Sequence, residues 1–282
     1  MSPQRGNGAK ASLPIKLLIA DVDGTLVTGQ KVLTDAACGA VERLRAAGIE
    51  LAITSGRPPR GMAMLVEPLE LTTPVAAFNG GMFVKPDLTT VIQQSTLPLE
   101  VAREVLDFLL QAGLDVWVYR DADWFIRKRE APHVDREQWT VKFEPTVTKD
   151  LSSVLERAVK IVGVSDDHGL VERTEAALRK RVAGHASAAR SQPYYLDVTH
   201  PDANKGVVAR YEAQALRLPV EQIATIGDMP NDVLMFSVGG VSIAMGNASP
   251  DVQRCARYVT TSNEEEGFAH AIDTFILPRH AP

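Results

Sequence analysis

The chain has 282 residues, 45% of them hydrophobic and 23% charged, with a formal net charge of -5. That is ordinary globular composition, long enough for one large domain or two medium ones. The acidic balance excludes a general nucleic-acid binder, and no apolar run approaches the roughly 20 residues that span a bilayer.

Residues 1–12 are polar and Gly-rich and lack a signal peptide's apolar core. They read as a flexible lead-in, and the absence of a targeting segment points to the cytoplasm. The two cysteines, Cys38 and Cys255, are too few and too far apart for a disulfide framework and read as cytosolic thiols. Ile15–Ala20 reads as a buried strand. Thr34 to Ala47 reads as a helix, with Thr34 as N-cap, Ala37, Val41 and Leu44 on one face, and Gly48 past its end. Ile49–Thr54 is a second strand, Pro58 to Leu71 holds a short helix, and Val75–Phe78 is a third strand. Short apolar strands alternating with helices predict a parallel sheet covered on both faces.

The middle of the chain has a different pattern. Val91–Gln93 looks like a strand, Leu99–Ala112 an amphipathic helix, and Asp115–Tyr119 with Trp124–Lys128 a hairpin. Further strands are expected at Ile161–Val164, Ala186–Ala189 and Tyr194–Val198, with a helix at Gly169–Val182. Trp117, Trp124 and Trp139 all fall here and are expected mainly in the core of this region. After about Gln192 the first style resumes. Lys205–Leu216 is helical, Gln222–Ile226 and Val241–Ala244 are strands, Asn231–Ser237 starts a helix, Tyr258–Thr260 is a last strand, and Glu264–Ile276 closes the chain. The expected organisation is one α/β domain, residues 1–84 and 192–282, interrupted by an α+β insertion at 85–191.

Four polar clusters punctuate this pattern. Asp21-Val22-Asp23-Gly24-Thr25 follows the first strand, and Thr54-Ser55-Gly56-Arg57 follows the second. Asn204-Lys205-Gly206 opens a helix, and Gly227-Asp228-Met229-Pro230-Asn231-Asp232 lies between a strand and a helix. Ligands in open α/β sheets bind outside the carboxyl ends of the strands, so these clusters converge if their strands are neighbours. Carboxylates with open positions suit Mg²⁺, and a lysine beside helix N-termini suits a phosphoryl group. The fitting chemistry is phosphoryl transfer.

With these motifs the chain resembles the haloacid dehalogenase superfamily, and within it the Cof-type, type IIB phosphatases. Asp21-Val22-Asp23-Gly24-Thr25 is similar to the family's first motif, Ser55 to the second, Lys205 to the third, and Gly227–Asp232 to the fourth. Phe78-Asn79-Gly80-Gly81 resembles its Asn-Gly segment, and the insertion falls where type II caps enter. The resemblance implies a Rossmann-like core carrying an inserted cap. It implies that Asp21 is the nucleophile and that Asp23 is the general acid and base. Ser55 and Lys205 would complete the catalytic set. Ser55, Gly56, Arg57, Asn79, Gly80, Lys205 and Asn231 would bind substrate or phosphate. Mg²⁺ would be held by Asp21, Asp23 through its carbonyl, and Asp228, with Asp232 either a ligand through water or a support for Lys205.

The resemblance further implies a phosphohydrolase of small phosphorylated metabolites, sugar phosphates above all, and an acid at Asp23 favours an alcohol leaving group over a halide. A sugar phosphomutase and a non-enzymatic sensor of a phospho-ligand are the alternatives. The cap would set specificity, with Trp124, Arg127, Lys128, His133, Arg136 and His168 as candidates to face the substrate. Neither nucleic acid nor membrane is an expected partner, and nothing in the sequence specifies an oligomeric state.

Overall fold

The computed structural model describes residues 13–279; the lead-in expected at residues 1–12 lies outside them. The chain begins with β1 (Leu17–Asp21), α1 (Asp35–Ala46), β2 (Glu50–Thr54), β3 (Val75–Ala77), β4 (Met82–Val84) and β5 (Val91–Gln94). It continues with α2 (Leu99–Gln111), β6 (Asp115–Arg120), β7 (Asp123–Ile126), α3 (Val134–Val141), β8 (Thr146–Val147), β9 (Ala158–Val164), α4 (His168–Arg181), β10 (Ser187–Gln192) and β11 (Tyr195–Thr199). It returns with α5 (Lys205–Ala215), β12 (Ile223–Gly227), β13 (Val241–Ala244) and β14 (Tyr258–Val259).

Two sheets result. The first has the order β14-β13-β12-β1-β2-β3-β4-β5, parallel from β14 to β3 and antiparallel beyond. The second has the order β10-β11-β9-β6-β7-β8 and is antiparallel except between β7 and β8. A largely parallel α/β sheet with an inserted α+β unit is the architecture expected.

The order puts β1 at the centre, flanked by β12 and β2. All five residues of β1 are buried, as a strand covered on both faces requires. Its register aligns the motifs: Ala20 pairs with Ile226, Asp21 with Thr54, and Thr54 with Ala76. Three motif loops therefore leave one rim at one level. α1 starts as expected, with the Ala37 amide donating to Thr34 Oγ1 at 3.1 Å. Ala37, Val41 and Leu44 are its buried face.

The insertion's boundaries differ from those expected at 85 and 191. β5 belongs to the first sheet, paired with β4, and β11 belongs to the second, paired with β10 and β9. Each is joined to its sheet by a hairpin, and a hairpin partner follows its neighbour strand whatever its composition. β4 was not anticipated, because Gly80-Gly81 masks a three-residue strand. α3 was not anticipated either; it is short and bounded by left-handed His133 and Lys142. The helix expected over Pro58 to Leu71 is two short pieces, Pro59–Met62 and Ala63–Val66.

The two faces of the second sheet have different partners. Val116 and Val118 pack with Val105, Leu106 and Leu109 of α2. Trp117 and Tyr119 face the other way, and Tyr119 meets Phe78 of the first domain with ring centroids 5.4 Å apart. Trp117 and Trp124 are core residues of the insertion, in edge contact at 5.1 Å, as expected; Trp139 is 43% exposed. Among the described residues no helix is long and apolar enough to cross a membrane, and Cys38 and Cys255 are both free.

One residue of α5 conflicts with its surroundings. Glu212 is fully buried on the helix that packs Val208, Ala209 and Ala213 against Leu17, Ile19 and Ala52. Neither of its carboxyl oxygens has a hydrogen-bond partner among the described residues. Burial pushes this carboxyl up to about 8. The folded state therefore holds the proton where the unfolded chain has lost it. Below the unfolded value, near 4.5, both states are protonated and stability is unaffected; it falls as pH rises from there through about 8. Glu212→Met should stabilise the fold by about 2 kcal/mol or more at pH 8.5, where it removes an unpaired buried charge. The gain should shrink towards pH 5, and thermal melts at the two pH values check it.

Candidate active site

Lys205 is the first residue of α5, behind the N-cap Asn204, whose Oδ1 accepts the Val207 amide at 3.1 Å. The start of the helix carries its side chain into the rim, where it is 1% exposed. Its ammonium donates to Asp21 Oδ1 at the end of β1 and, at 2.6 Å, to Asp232 Oδ1. Asp232 is fully buried, and its other oxygen accepts the Asp228 and Met229 amides at 2.9 and 2.8 Å. Both Asp232 oxygens are thus engaged, one holding the lysine and the other shaping the loop after β12.

Asp228 sits beside them. Thr25 donates its hydroxyl to Asp228 Oδ1 at 3.2 Å, and the Asn247 amide donates to Oδ2 at 3.3 Å. The approach is close enough to dictate two glycines. A Cβ at Gly24, whose φ is +82°, would lie 2.4 Å from Asp228 Oδ2, and one at Gly227 would lie 2.4 Å from Asp232 Cγ. Only glycine fits at either position.

Asp21, Asp228 and Asp232 offer ligand atoms that all lie within 4.8 Å of one another. Burial pushes the Asp21 carboxyl well above its ordinary value; Lys205 opposes this, and the Asp232 and Asp228 charges add to it. Burial and the Asp232 charge push Asp228 up to about 6. Lys205 is itself raised: burial disfavours its charge, but the two carboxylates outweigh that. Three buried carboxyl groups against one ammonium form a hard-oxygen set short of positive charge, which fits a divalent cation.

Asp23 is separated from this cluster. Its carboxylate takes a two-pronged contact from Arg57, Nε at 2.8 Å and Nη2 at 2.6 Å, and a third from Lys31 Nζ at 2.6 Å. Burial would raise it, but the Arg57 hydrogen bonds and charge win, with Lys31, and hold it at about 2. Arg57 also donates through Nη1 to the Gly61 carbonyl at 2.8 Å. Arg57 thus ties Asp23 to the following turn.

The remaining expected residues line the same mouth. Ser55 is 1% exposed, and its Oγ accepts the Arg57 amide at 3.2 Å. Phe78 and Asn79 both have positive φ, 52° and 57°, in a backbone region that costs a side-chain-bearing residue about 1–3 kcal/mol. Two hydrogen bonds hold them there, Phe78 N to Arg57 O at 3.0 Å and Asn79 N to Ser55 O at 2.7 Å. The Asn231 amide donates to Asn79 Oδ1 at 3.2 Å. The structure therefore brings Asp21, Asp23, Ser55, Arg57, Asn79, Lys205, Asn231, Asp228 and Asp232 together. Gly56 offers its carbonyl to Lys160 Nζ at 3.2 Å, and Gly80 packs against the Asn204 carbonyl.

Sequence reasoning missed Lys31, Thr25, Asn247 and Lys160. Thr25 stands inside the first motif and was legible there; the others sit outside every motif. None of Trp124, Arg127, Lys128, His133, Arg136 and His168 is hydrogen-bonded to a motif residue among those described. His133 instead stacks on Tyr194 at 4.0 Å and contacts Asp166 at 2.9 Å.

A parallel α/β sheet with a carboxylate cluster, one buried lysine and an inserted domain over its carboxyl rim defines an enzyme of phosphoryl chemistry. The profile of the haloacid dehalogenase-like hydrolases matches residues 18–272, and the chain belongs to that family. It is 27% identical to the 5-amino-6-(5-phospho-D-ribitylamino)uracil phosphatase YitU of Bacillus subtilis, over 92% of this chain and 97% of that one. A haloacid dehalogenase-like hydrolase of Bacteroides thetaiotaomicron superposes with a TM-score of 0.84 at 28% identity, covering 92% and 98% of the two chains. The subclass IIB sugar phosphatase BT4131, at 22% identity and a TM-score of 0.80, shares the fold over 92% of this chain and 98% of its own. Family, fold and site make this protein a phosphatase-type enzyme.

Removing Lys205 should expose what it balances. Lys205→Met leaves Asp21 and Asp232 buried without their cation and should destabilise the metal-free protein by about 3–5 kcal/mol at pH 7.5. Denaturant unfolding in the presence of a chelator measures it; an unchanged midpoint would contradict the electrostatic account.

Proposed function

We propose that the protein is a Mg²⁺-dependent phosphohydrolase of small phosphorylated metabolites, sugar phosphates foremost, that works through a phosphoryl group carried on Asp21. The observation that carries this reading is the gathering of Asp21, Asp228 and Asp232 beside one buried lysine, with Asp23 held apart at the mouth. The relative YitU, named for a phosphorylated ribitylamino-uracil, supports a small phosphorylated substrate.

Asp21, Asp228 and the Asp23 main-chain carbonyl are the groups that would hold the metal, with Asp232 behind Lys205. Bound there, Mg²⁺ supplies positive charge that lets an anionic carboxylate approach an anionic phosphate. Asp21 attacks phosphorus, the bond from phosphorus to the substrate oxygen breaks, and Asp23 gives that oxygen its proton. Asp23 then takes a proton from water, whose oxygen attacks the same phosphorus, frees Asp21 and releases inorganic phosphate. The Ser55 hydroxyl donates to a phosphoryl oxygen and Lys205 neutralises it, while Gly56, Asn79, Gly80 and Asn231 border the group. Held by Arg57 and Lys31, Asp23 is ionised, which suits the base step; the acid step requires both cations to loosen their hold. Arg57 acts on the reaction through Asp23.

Purified protein with Mg²⁺ should release phosphate from an aryl phosphate and from members of a phosphorylated-metabolite panel. Release of one phosphate per substrate consumed separates hydrolysis from a mutase, which yields an isomer and no free phosphate. Asp21→Asn should lower turnover about a thousandfold or more, and retained activity would remove Asp21 as nucleophile. Mg²⁺ at a hundredfold excess over its dissociation constant should stabilise the protein by about 2.7 kcal/mol. Melting with and without Mg²⁺ tests this; Asp228→Asn should lose most of the shift, and a full shift in that variant would exclude Asp228 as a ligand.

A further inference from the structure

Opposite the phosphoryl side of the site stands a wall supplied by the second sheet. Lys160 on β9 is 7% exposed, and its Nζ crosses to the first domain to reach the Gly56 carbonyl, inside the Ser55-Gly56-Arg57 loop. Register fixes what shares its face. Lys160 pairs with Tyr119 on β6 and with Thr199 on β11. Two residues along, Trp117, Val162 and Asp197 point the same way, and Tyr195 follows two residues beyond Asp197.

This face has unused polar capacity. Asp197 Oδ2 lies a long 3.5 Å from Lys160 Nζ, while Oδ1 is buried with no hydrogen-bond partner among the described residues. The Tyr195 hydroxyl, on a residue 9% exposed, is equally unpartnered. Glu137 reaches in from α3, accepts the Tyr119 hydroxyl at 2.7 Å, and lies within electrostatic range of Lys160, Asp197 and Asp23. Buried polar atoms are nearly always satisfied, so a row of unsatisfied ones beside a catalytic loop marks where a ligand's polar groups belong.

We propose that Lys160 and Asp197 determine specificity by reading hydroxyls of the leaving alcohol, and that this wall selects an uncharged polyol and rejects a second anionic group. The inference rests on the phosphohydrolase reading. A hydroxyl is the group that serves both partners, since it donates to Asp197 Oδ1 and accepts from Lys160 or Tyr195. The fully buried Tyr119 and Phe78 rings, 4.9 and 5.8 Å from Lys160 Nζ, hold the ammonium in place behind the wall. Charge sets the exclusion. Glu137 and Asp197 share the Lys160 ammonium, Arg57 and Lys31 are committed to Asp23, and Arg136 stands at the far, Tyr195 end of the wall. A carboxylate or second phosphate placed at Asp197 Oδ1 would meet a like charge, and Lys160, the cation nearest to it, is already shared with the Gly56 carbonyl.

Three probes test this with Mg²⁺ present: phenyl phosphate, a hexitol 6-phosphate, and the hexonate 6-phosphate of equal length that ends in a carboxylate. The wild type should favour the hexitol over the hexonate in kcat/KM by about tenfold or more, and Asp197→Asn should shrink that ratio at least about fivefold. Lys160→Met should lower the hexitol-to-phenyl ratio by about tenfold. A structural role for either residue would shift all probes together and leave the ratios alone. Should Lys160→Met fail to fold, the near-isosteric Asp197→Asn decides. Turnover of phenyl phosphate with no hexitol preference, or with ratios unmoved in the folded variants, overturns this inference alone. No phosphate from any of the three probes overturns the phosphohydrolase reading and this inference with it.

Discussion

Burying the Lys205 ammonium between Asp21 and Asp232 ties three distant segments to one point: the end of β1, the start of α5 and the loop after β12. An unpaired charge in that position would be prohibitively costly, so each segment must deliver its group accurately. The arrangement also leaves a deficit. One ammonium cannot neutralise Asp21, Asp228 and Asp232 together, and burial, with the carboxylates' mutual repulsion added, raises Asp21 and Asp228. The same deficit that strains the metal-free site provides affinity for a cation, which couples stability to metal binding.

The two aspartates of the first motif live in opposite environments although one residue separates them. Asp21 ends a buried central strand, where desolvation raises it. Asp23 lies within the turn between Val22 and Gly24, where Arg57 and Lys31 lower it. Environments that push two carboxyl groups apart are the usual means of giving them different roles. Here the separation depends on a second loop, since Arg57 follows β2 and is itself anchored on Gly61. That turn touches the insertion, because a Cβ at Gly61 would lie 3.3 Å from Val141 of α3. The insertion and the Asp23 clamp are thus in mechanical contact through one short helix.

Much of this was legible in the residues alone. The motif loops could be placed on strand ends because apolar runs stop where Asp21, Ser55 and Asp228 begin. The α1 cap followed from Thr34. The insertion's edges were less legible, since β5 and β11 each join a sheet through a hairpin and an edge strand's composition does not name its sheet. The contact of Arg57 with Asp23 was not legible, because a cation beside a serine loop is chemically suited to phosphate and only the fold brings Asp23 against it.

What the sequence determined by itself is the chemistry at the rim. Short-range order places Asp21 and Asp228 at the ends of β1 and β12 and Ser55 after β2, and these residue types at fixed spacing narrow what the site can do. The tertiary structure decided which of those groups are spent on one another and what faces them. Asp232 became the support for Lys205, Arg57 the clamp on Asp23, and Lys160, Asp197 and Glu137 the opposing wall. Those assignments join residues 18 or more positions apart, through strand register and the docking of one sheet over another. Such distances are set by the packed fold, and no local pattern encodes them.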